Sequence, residues 1–231
     1  MTRAYVLCGG FGTRLRSVIQ NTQKAVVPVN GQPFLQHVLW QLGKAGVCEA
    51  VLCAHYRADQ LAELLGELAA ASSLRLELVV EATPLGTGGA LLNALREHPS
   101  RERYLVLNAD TFVTSAAYRL ALDNPGNVLV ATRVTDAGRF GSVEFDANGH
   151  LRTFQEKGLS GSGLVNAGVY GFLPDAFTQP PVTCSLEREL LPQLMGAGEI
   201  AVHEYHGDFI DIGTPEALQL YRTSCAERAR S

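Results

Sequence analysis

No apolar run in this sequence reaches the roughly 18–20 residues of a membrane span, so no membrane partner is expected. The chain opens directly on a strand pattern, without the basic and then apolar stretch of a secretion signal, which points to the cytoplasm. Its five cysteines, at positions 8, 48, 53, 184 and 225, form no C-x-x-C pair and leave an odd count. That pattern suggests neither a zinc site nor a disulfide framework, and leaves reduced thiols acting as small apolar residues. Basic charge is also short: a net charge of −4 argues against nucleic acid, whose phosphate backbone favours basic surfaces. Internal repeats, low-complexity tracts and linkers are absent, and 231 residues are enough to bury a sizeable core in one continuous domain.

Glycine, in contrast, is concentrated. Three glycines within four positions follow the apolar run Tyr5-Val6-Leu7, in Leu7-Cys8-Gly9-Gly10-Phe11-Gly12-Thr13-Arg14-Leu15-Arg16. A strand therefore ends in a loop free of side-chain bulk, whose N–H groups can approach a polyanion. Arg14, Arg16 and Lys24 follow closely, which makes a phosphate chain the fitting anion. Two better-known loops are excluded. A dinucleotide fingerprint needs glycine where Leu15 stands and an acidic end to the second strand, where Ala54-His55 stand. A P-loop needs Gly-Lys-Ser/Thr, which Gly12-Thr13-Arg14 does not supply.

Periodicity orders the rest. Apolar positions 34, 35, 38, 39 and 42 predict a helix over 33–44, with Trp40 helping to seat it. Strand 50–54, a helix from Ala58, and strand 74–80 follow. A second glycine cluster, Pro84-Leu85-Gly86-Thr87-Gly88-Gly89, precedes a helix over 90–97, and the buried strand 104–107 ends in Asn108-Ala109-Asp110. Strands alternating with helices predict an α/β fold: a mostly parallel sheet, covered on both faces, with its ligand crevice at the carboxyl ends of the strands. From Asn127 the pattern turns strand-rich, with a hairpin at Asp146-Ala147-Asn148-Gly149. A helix over 186–195 bent at Pro192, strands 199–205 and 209–212 completing the sheet, and a helix capped by Thr214-Pro215 and running to about Tyr221 close the reading.

Chemistry-bearing residues gather at predicted strand ends. Asp110 follows apolar residues, where an unpaired carboxylate is costly, and Mg²⁺ is its natural counter-charge. Asp211, in Phe209-Ile210-Asp211-Ile212-Gly213-Thr214-Pro215, is the second carboxylate chosen, because Asp208 falls on the opposite strand face. Arg14 suits a departing pyrophosphate and Lys24 an α-phosphate or sugar phosphate. Glu156 and Lys157 offer an acceptor for sugar hydroxyls and a partner for a sugar phosphate; the bland alternative is a solvated charge pair. Asn166 offers an amide to a sugar ring, and Gly141 a close backbone approach. His203 and His206 fall on opposite strand faces and make no metal site.

These motifs, in this order, resemble the sugar-1-phosphate nucleotidyltransferases. The resemblance implies a Rossmann-like three-layer α/β nucleotidyltransferase fold with a mostly parallel mixed sheet. It further implies a nucleotide-binding half of about 1–125 and a sugar-binding half of about 126–231. Leu7, Gly9, Gly10, Gly12, Thr13, Arg14, Glu81, Pro84, Gly86 and Thr87 would meet the nucleotide. Lys24, Gly141, Glu156, Lys157 and Asn166 would meet the sugar phosphate, Asp110 and Asp211 would hold Mg²⁺, and Arg14, Lys24 and Asp110 would be catalytic. The stretches 15–18 and 28–35 look like the branch that guanylylates a manno-configured heptose 1-phosphate, an activity of surface-polysaccharide precursor synthesis. Glu81 agrees, since a carboxylate matches guanine's adjacent N1–H and N2–H₂ donors and implies GTP. A uridylyl-, thymidylyl- or cytidylyltransferase for a hexose or amino-sugar phosphate, and a silent nucleotide-sugar sensor, are the alternatives. No further C-terminal helical or β-helix domain is seen, so a monomer or homodimer is expected. The chain departs from the family where Pro-Lys-Pro is usual: Gln23-Lys24-Ala25 stands there, and Cys8 replaces the usual alanine. Losing both prolines is expected to loosen the segment carrying Lys24.

Overall fold

A computed structural model describes residues 2–19, 21–155, 161–177 and 180–228. In chain order its strands and helices are β1 (Arg3–Leu7), α1 (Arg16–Ile19), β2 (Pro28–Val29), β3 (Gln32–Pro33), α2 (Phe34–Lys44), β4 (Glu49–Ala54), α3 (Ala58–Ser72), β5 (Arg75–Val80), α4 (Gly86–Glu97), β6 (Tyr104–Asn108), β7 (Thr111–Val113) and α5 (Ser115–Leu122). There follow β8 (Asn127–Val134), β9 (Ser142–Phe145), β10 (Leu151–Gln155), β11 (Gly163–Phe172), α6 (Leu191–Ala197), β12 (Ile200–Tyr205), β13 (Phe209–Asp211) and α7 (Pro215–Arg228). Nine strands form one mixed sheet in the order β10-β9-β11-β6-β1-β4-β5, with β8 pairing β11 and β12. The quartet β6-β1-β4-β5 is parallel, and so is the pair β8-β12, while β11 runs antiparallel to β6, β8 and β9.

Alternation along buried strands divides the core in two. Ala4, Val6, Leu52, Leu105 and Leu107 face α2, α3, α5 and α7. Tyr5, Val51, Cys53, Tyr104 and Val106 face α4 and α6. Helices thus cover both faces, as expected of the three-layer arrangement. Cys8 and Cys53 are buried and free, and burial pushes both thiols up.

Four local expectations are corrected. Trp40 does not seat α2; at 52% exposed it lies off the apolar stripe, with the Lys44 ammonium 3.5 Å above its ring. The second glycine cluster is not a loop before a helix, because α4 begins at Gly86 itself. The segment after Ser185 starts as a π-helical turn, Leu186–Leu190, and becomes α-helical only from Leu191. β13 does not complete the main sheet; it pairs β7 in a separate two-stranded ribbon, and α7 runs on to Arg228. That ribbon matters most, because its register sets Asp211 opposite Thr111, and Ile212 N–H donates to Asp110 C=O at 3.0 Å.

Candidate active site

The carboxyl ends of β1, β4, β5 and β6 share one rim, since parallel strands end on the same side. On it opens a cavity of about 280 Å³ lined by Leu7, Gly9, Gly10, Lys24, Glu81, Pro84, Gly86, Thr87 and Asp110, together with Phe11, His55, Asn108 and Glu187. A second cavity of about 380 Å³ adjoins it, lined by Arg14, Arg139, Gly141, Asn166, Asp211 and the rings of Phe140, Phe154 and Phe209. Thr87, Asn108 and Glu187 line both.

At the junction stands Lys24. Its Nζ lies 2.5 Å from Asp110 Oδ2 and 3.8 Å from Asp211 Oδ1, with the lysine side chain only 11% exposed. One ammonium thus holds a mid-chain carboxylate and one from near the C-terminus. Burial presses the Asp110 carboxyl upward, but Lys24 outweighs it, helped by Thr111, and holds it below the usual carboxylate range. Burial, and then the Asp110 charge, push the Asp211 carboxyl up against the pull of Lys24 and of the Gly213 N–H. A Cβ at Gly213 would meet Asp211 Oδ1 at 2.6 Å, so a side chain there would displace this carboxylate oxygen. Arg139 braces the same ribbon, donating to Asp211 C=O at 3.1 Å and to Thr214 Oγ1 at 3.2 Å.

Lys24 is not on a loosened segment. Gln23, 1% exposed, donates through Nε2 to Cys8 C=O, accepts from Ala25 N–H at 2.5 Å through Oε1, and gives its own N–H to Gln60 Oε1 at 2.7 Å. A buried amide therefore does the restraining that proline would do, and it ties the lysine to the glycine loop. The glycine loop itself is open. Nothing lies within 4 Å of a Cβ built at Gly10, and among the described residues none accepts from the N–H of Gly9 or Gly10. Gly12 takes φ +58° and turns the chain into the short helical turn that begins at Thr13. Gly12 does not line the first cavity, and the exposed Arg14 lines the second, as Asp211 does, rather than the first.

The second glycine cluster serves packing. A Cβ at Gly86 would stand 2.5 Å from Cys184 C=O, and one at Gly88 2.8 Å from Cys184 Sγ. Gly88 and Gly89 give their N–H groups to Cys184 C=O at 2.9 and 3.1 Å, so the start of α4 is occupied by protein. This docking delivers Glu187 to both cavities. Glu81, 6% exposed, uses Oε2 to accept from Leu85 N–H at 2.9 Å, while its C=O lies 3.0 Å from His55 Nδ1. Burial pushes its carboxyl up, opposed by the Leu85 N–H and by His55. The space that Gly141 leaves is filled by Phe154, whose ring a Cβ would meet at 2.7 Å, and Gly141 C=O accepts from Asn166 N–H. Asn166 gives Nδ2 to Tyr170 OH at 2.6 Å and takes Gly168 N–H at 2.9 Å. Glu156 and Lys157 lie outside the described residues.

Sequence reasoning passed over Gln23, His55, Arg139 and Glu187. For Glu187 a signal existed, since Ser185 caps the following turn through Oγ and so marks where a chain segment is pinned. Arg139 carried none.

Known proteins resemble this chain over most of its length. A family model described as nucleotidyl transferase matches residues 3–226. The D-glycero-alpha-D-manno-heptose 1-phosphate guanylyltransferase of Campylobacter jejuni is 32% identical over 215 residues, 93% of this chain and 96% of that protein. The mannose-1-phosphate guanylyltransferase catalytic subunit beta of Drosophila melanogaster is 33% identical over 98% of this chain, which spans 64% of that longer protein. Among solved structures, HddC from Yersinia pseudotuberculosis superposes with a TM-score of 0.86 at 29% identity, covering 97% of this chain and 100% of that one. The same protein complexed with GMP-PN gives 0.84, with the same identity and coverage.

Proposed function

The chain belongs to the nucleotidyl transferase family, and from that premise we propose that it joins GTP and a sugar 1-phosphate into a GDP-sugar, releasing pyrophosphate. The acceptor is a manno-configured heptose 1-phosphate, the product a precursor for surface or capsular polysaccharide, and the setting the cytoplasm. Guanylyltransferases among its relatives support the base and the sugar class, and the relative from Yersinia pseudotuberculosis has been crystallised with GMP-PN. One observation carries the reading: Lys24 gathers Asp110 and Asp211 where two adjoining cavities meet.

In this reaction a phosphate oxygen of the sugar 1-phosphate attacks the α-phosphorus. A new P–O bond forms, the bond to the bridging oxygen of the β-phosphate breaks, and pyrophosphate leaves with that electron pair. Little covalent work is asked of the protein, so rate comes from alignment and charge. The open N–H groups of Gly9 and Gly10 and the Lys24 ammonium receive phosphate oxygens from the first cavity. Arg14 and Arg139 line the second cavity, where they offer fixed positive charge to the acceptor's phosphate. Glu81 meets the guanine edge with the acceptor capacity that Leu85 leaves it.

Asp110 and Asp211 fit Mg²⁺: both are hard oxygen donors, the Asp110 charge pushes the Asp211 carboxyl up, and Lys24 lies against both. When bound there, Mg²⁺ would supply further neutralisation of phosphate charge. A panel of GTP, UTP, dTTP and CTP against heptose, mannose and glucose 1-phosphates, scored by pyrophosphate release, tests the reading. Turnover with GTP and a manno-configured phosphate is expected. Turnover only with UTP and a hexose phosphate, or none at all, would overturn it.

A further inference from the structure

Among the described residues, one carboxylate, that of Glu187, lines both cavities. Glu187 sits on the π-helical turn Leu186–Leu190, a form often found at functional sites. Its Oε2 accepts from Thr87 Oγ1 at 2.8 Å and from Ser185 Oγ at 3.0 Å. Thr87 Oγ1 is itself fixed by Leu186 N–H at 2.8 Å. Behind it lies Tyr170, wholly buried, whose hydroxyl contacts Glu187 and receives Asn166 Nδ2. Hydrogen bonds thus join Asn166 to Tyr170 and Glu187 to Thr87 and Ser185, and the Tyr170 hydroxyl lies against the carboxylate between them.

A carboxylate offers about four acceptor sites; Thr87 and Ser185 both donate to Oε2, which leaves room for a further donor. That donor cannot be a phosphate, which like charge excludes. With the guanine N–H donors met by Glu81, the donors left on either substrate are hydroxyls, so Glu187 faces a hydroxyl. The side is set by its neighbours: Tyr170 and Asn166 lie on β11, and both Asn166 and Arg188 line the second cavity but not the first. We propose that Glu187 accepts a ring hydroxyl of the acceptor sugar and thereby selects among sugar 1-phosphates. The inference rests on the reaction assigned above and names the group that sorts its acceptors.

The test is steady-state kinetics of Glu187→Gln with GTP and mannose 1-phosphate, then with its 2-, 3-, 4- and 6-deoxy analogues. Glutamine keeps an acceptor for Thr87 and Ser185, so thermal unfolding should match the wild type. KM for the sugar phosphate should rise about tenfold or more, as for loss of a hydrogen bond to a charged group, with KM for GTP within about twofold. One deoxy analogue should slow the wild type by a similar factor and the variant no further. Tyr170→Phe, which preserves shape, should show a smaller loss against the same analogue, and it stands in if Glu187→Gln does not fold. Additive losses at every position would overturn the proposal. So would a rise in KM for GTP abolished by 2′-deoxy-GTP, which would give the hydroxyl to the ribose. If the wild type turns over a different nucleotide and sugar pair, the reaction assignment fails, and the same additivity is then read on that pair.

Discussion

Replacing Gln23 by alanine removes one buried side chain and should damage stability and turnover together. Gln23 and its partners Cys8 and Ala25 are at most 2% exposed. The variant leaves Cys8 C=O and Ala25 N–H without their side-chain partner. A buried group stripped of its partner costs about 1–3 kcal/mol, so the pair together costs roughly 2–4 kcal/mol, because water entering from the adjoining cavity relieves part of it. For a chain of this size each kcal/mol moves Tm by about 2–4 °C, and the expected fall is about 4–16 °C by scanning calorimetry. Because the same amide ties Lys24 to the glycine loop, kcat should fall about tenfold for each 1.4 kcal/mol of lost alignment. Gln23→Glu sharpens the test: it keeps the shape but sets an acceptor against the Cys8 carbonyl, and should be at least as harmful as alanine. A Tm within 2 °C of wild type for both variants would refute the clamp and return Gln23 to an incidental core residue.

Further outcomes follow from the same geometry. Glu81→Gln should raise KM for GTP about 10- to 150-fold, the value of a hydrogen bond to a charged group, in nucleotide-panel kinetics. Burial raises the Glu81 carboxyl, so its contribution to stability is full below the ordinary glutamate value and is lost as pH rises through the raised one. Wild type measured against Glu81→Gln should therefore lose ground in urea unfolding between acid and neutral pH; a constant difference would contradict this. Gly86→Ala, at φ +78° with Cys184 C=O 2.5 Å from the new Cβ, should cost about 2–5 kcal/mol and displace the segment bearing Glu187, as read by Tm and by KM for the sugar phosphate. Chelation with excess EDTA should abolish pyrophosphate release, and added Mg²⁺ should restore it.

Much of the architecture was legible because buried parallel strands and amphipathic helices carry their own periods. Tyr5-Val6-Leu7 and Leu105-Val106-Leu107 could be little else, and parallel pairing then sends Gly9, Glu81 and Asp110 to one rim. What could not be read depends on partners distant in sequence. Thr87 holds Leu186 across 99 positions, and Gly86 and Gly88 look like phosphate-loop glycines although their freedom from Cβ is used by Cys184. Gln23 looked like a missing proline because only the folded chain sets the Cys8 carbonyl against its amide. Trp40 was misjudged for a simpler reason, since its size suggested burial while its place on the helix turned it to solvent.

The charge arrangement around Lys24 is tested most directly by single-turnover formation of GDP-sugar in Mg²⁺ by Asp110→Asn and Asp211→Asn, with GTP binding measured on the same samples. Both substitutions keep side-chain volume, so each should fold, retain GTP affinity to within about tenfold, and lose roughly 10²–10³-fold in rate, as for removal of a group stabilising developing charge. Rates within a few-fold of wild type for either variant would mean that the two carboxylates are mere structural partners of a lysine.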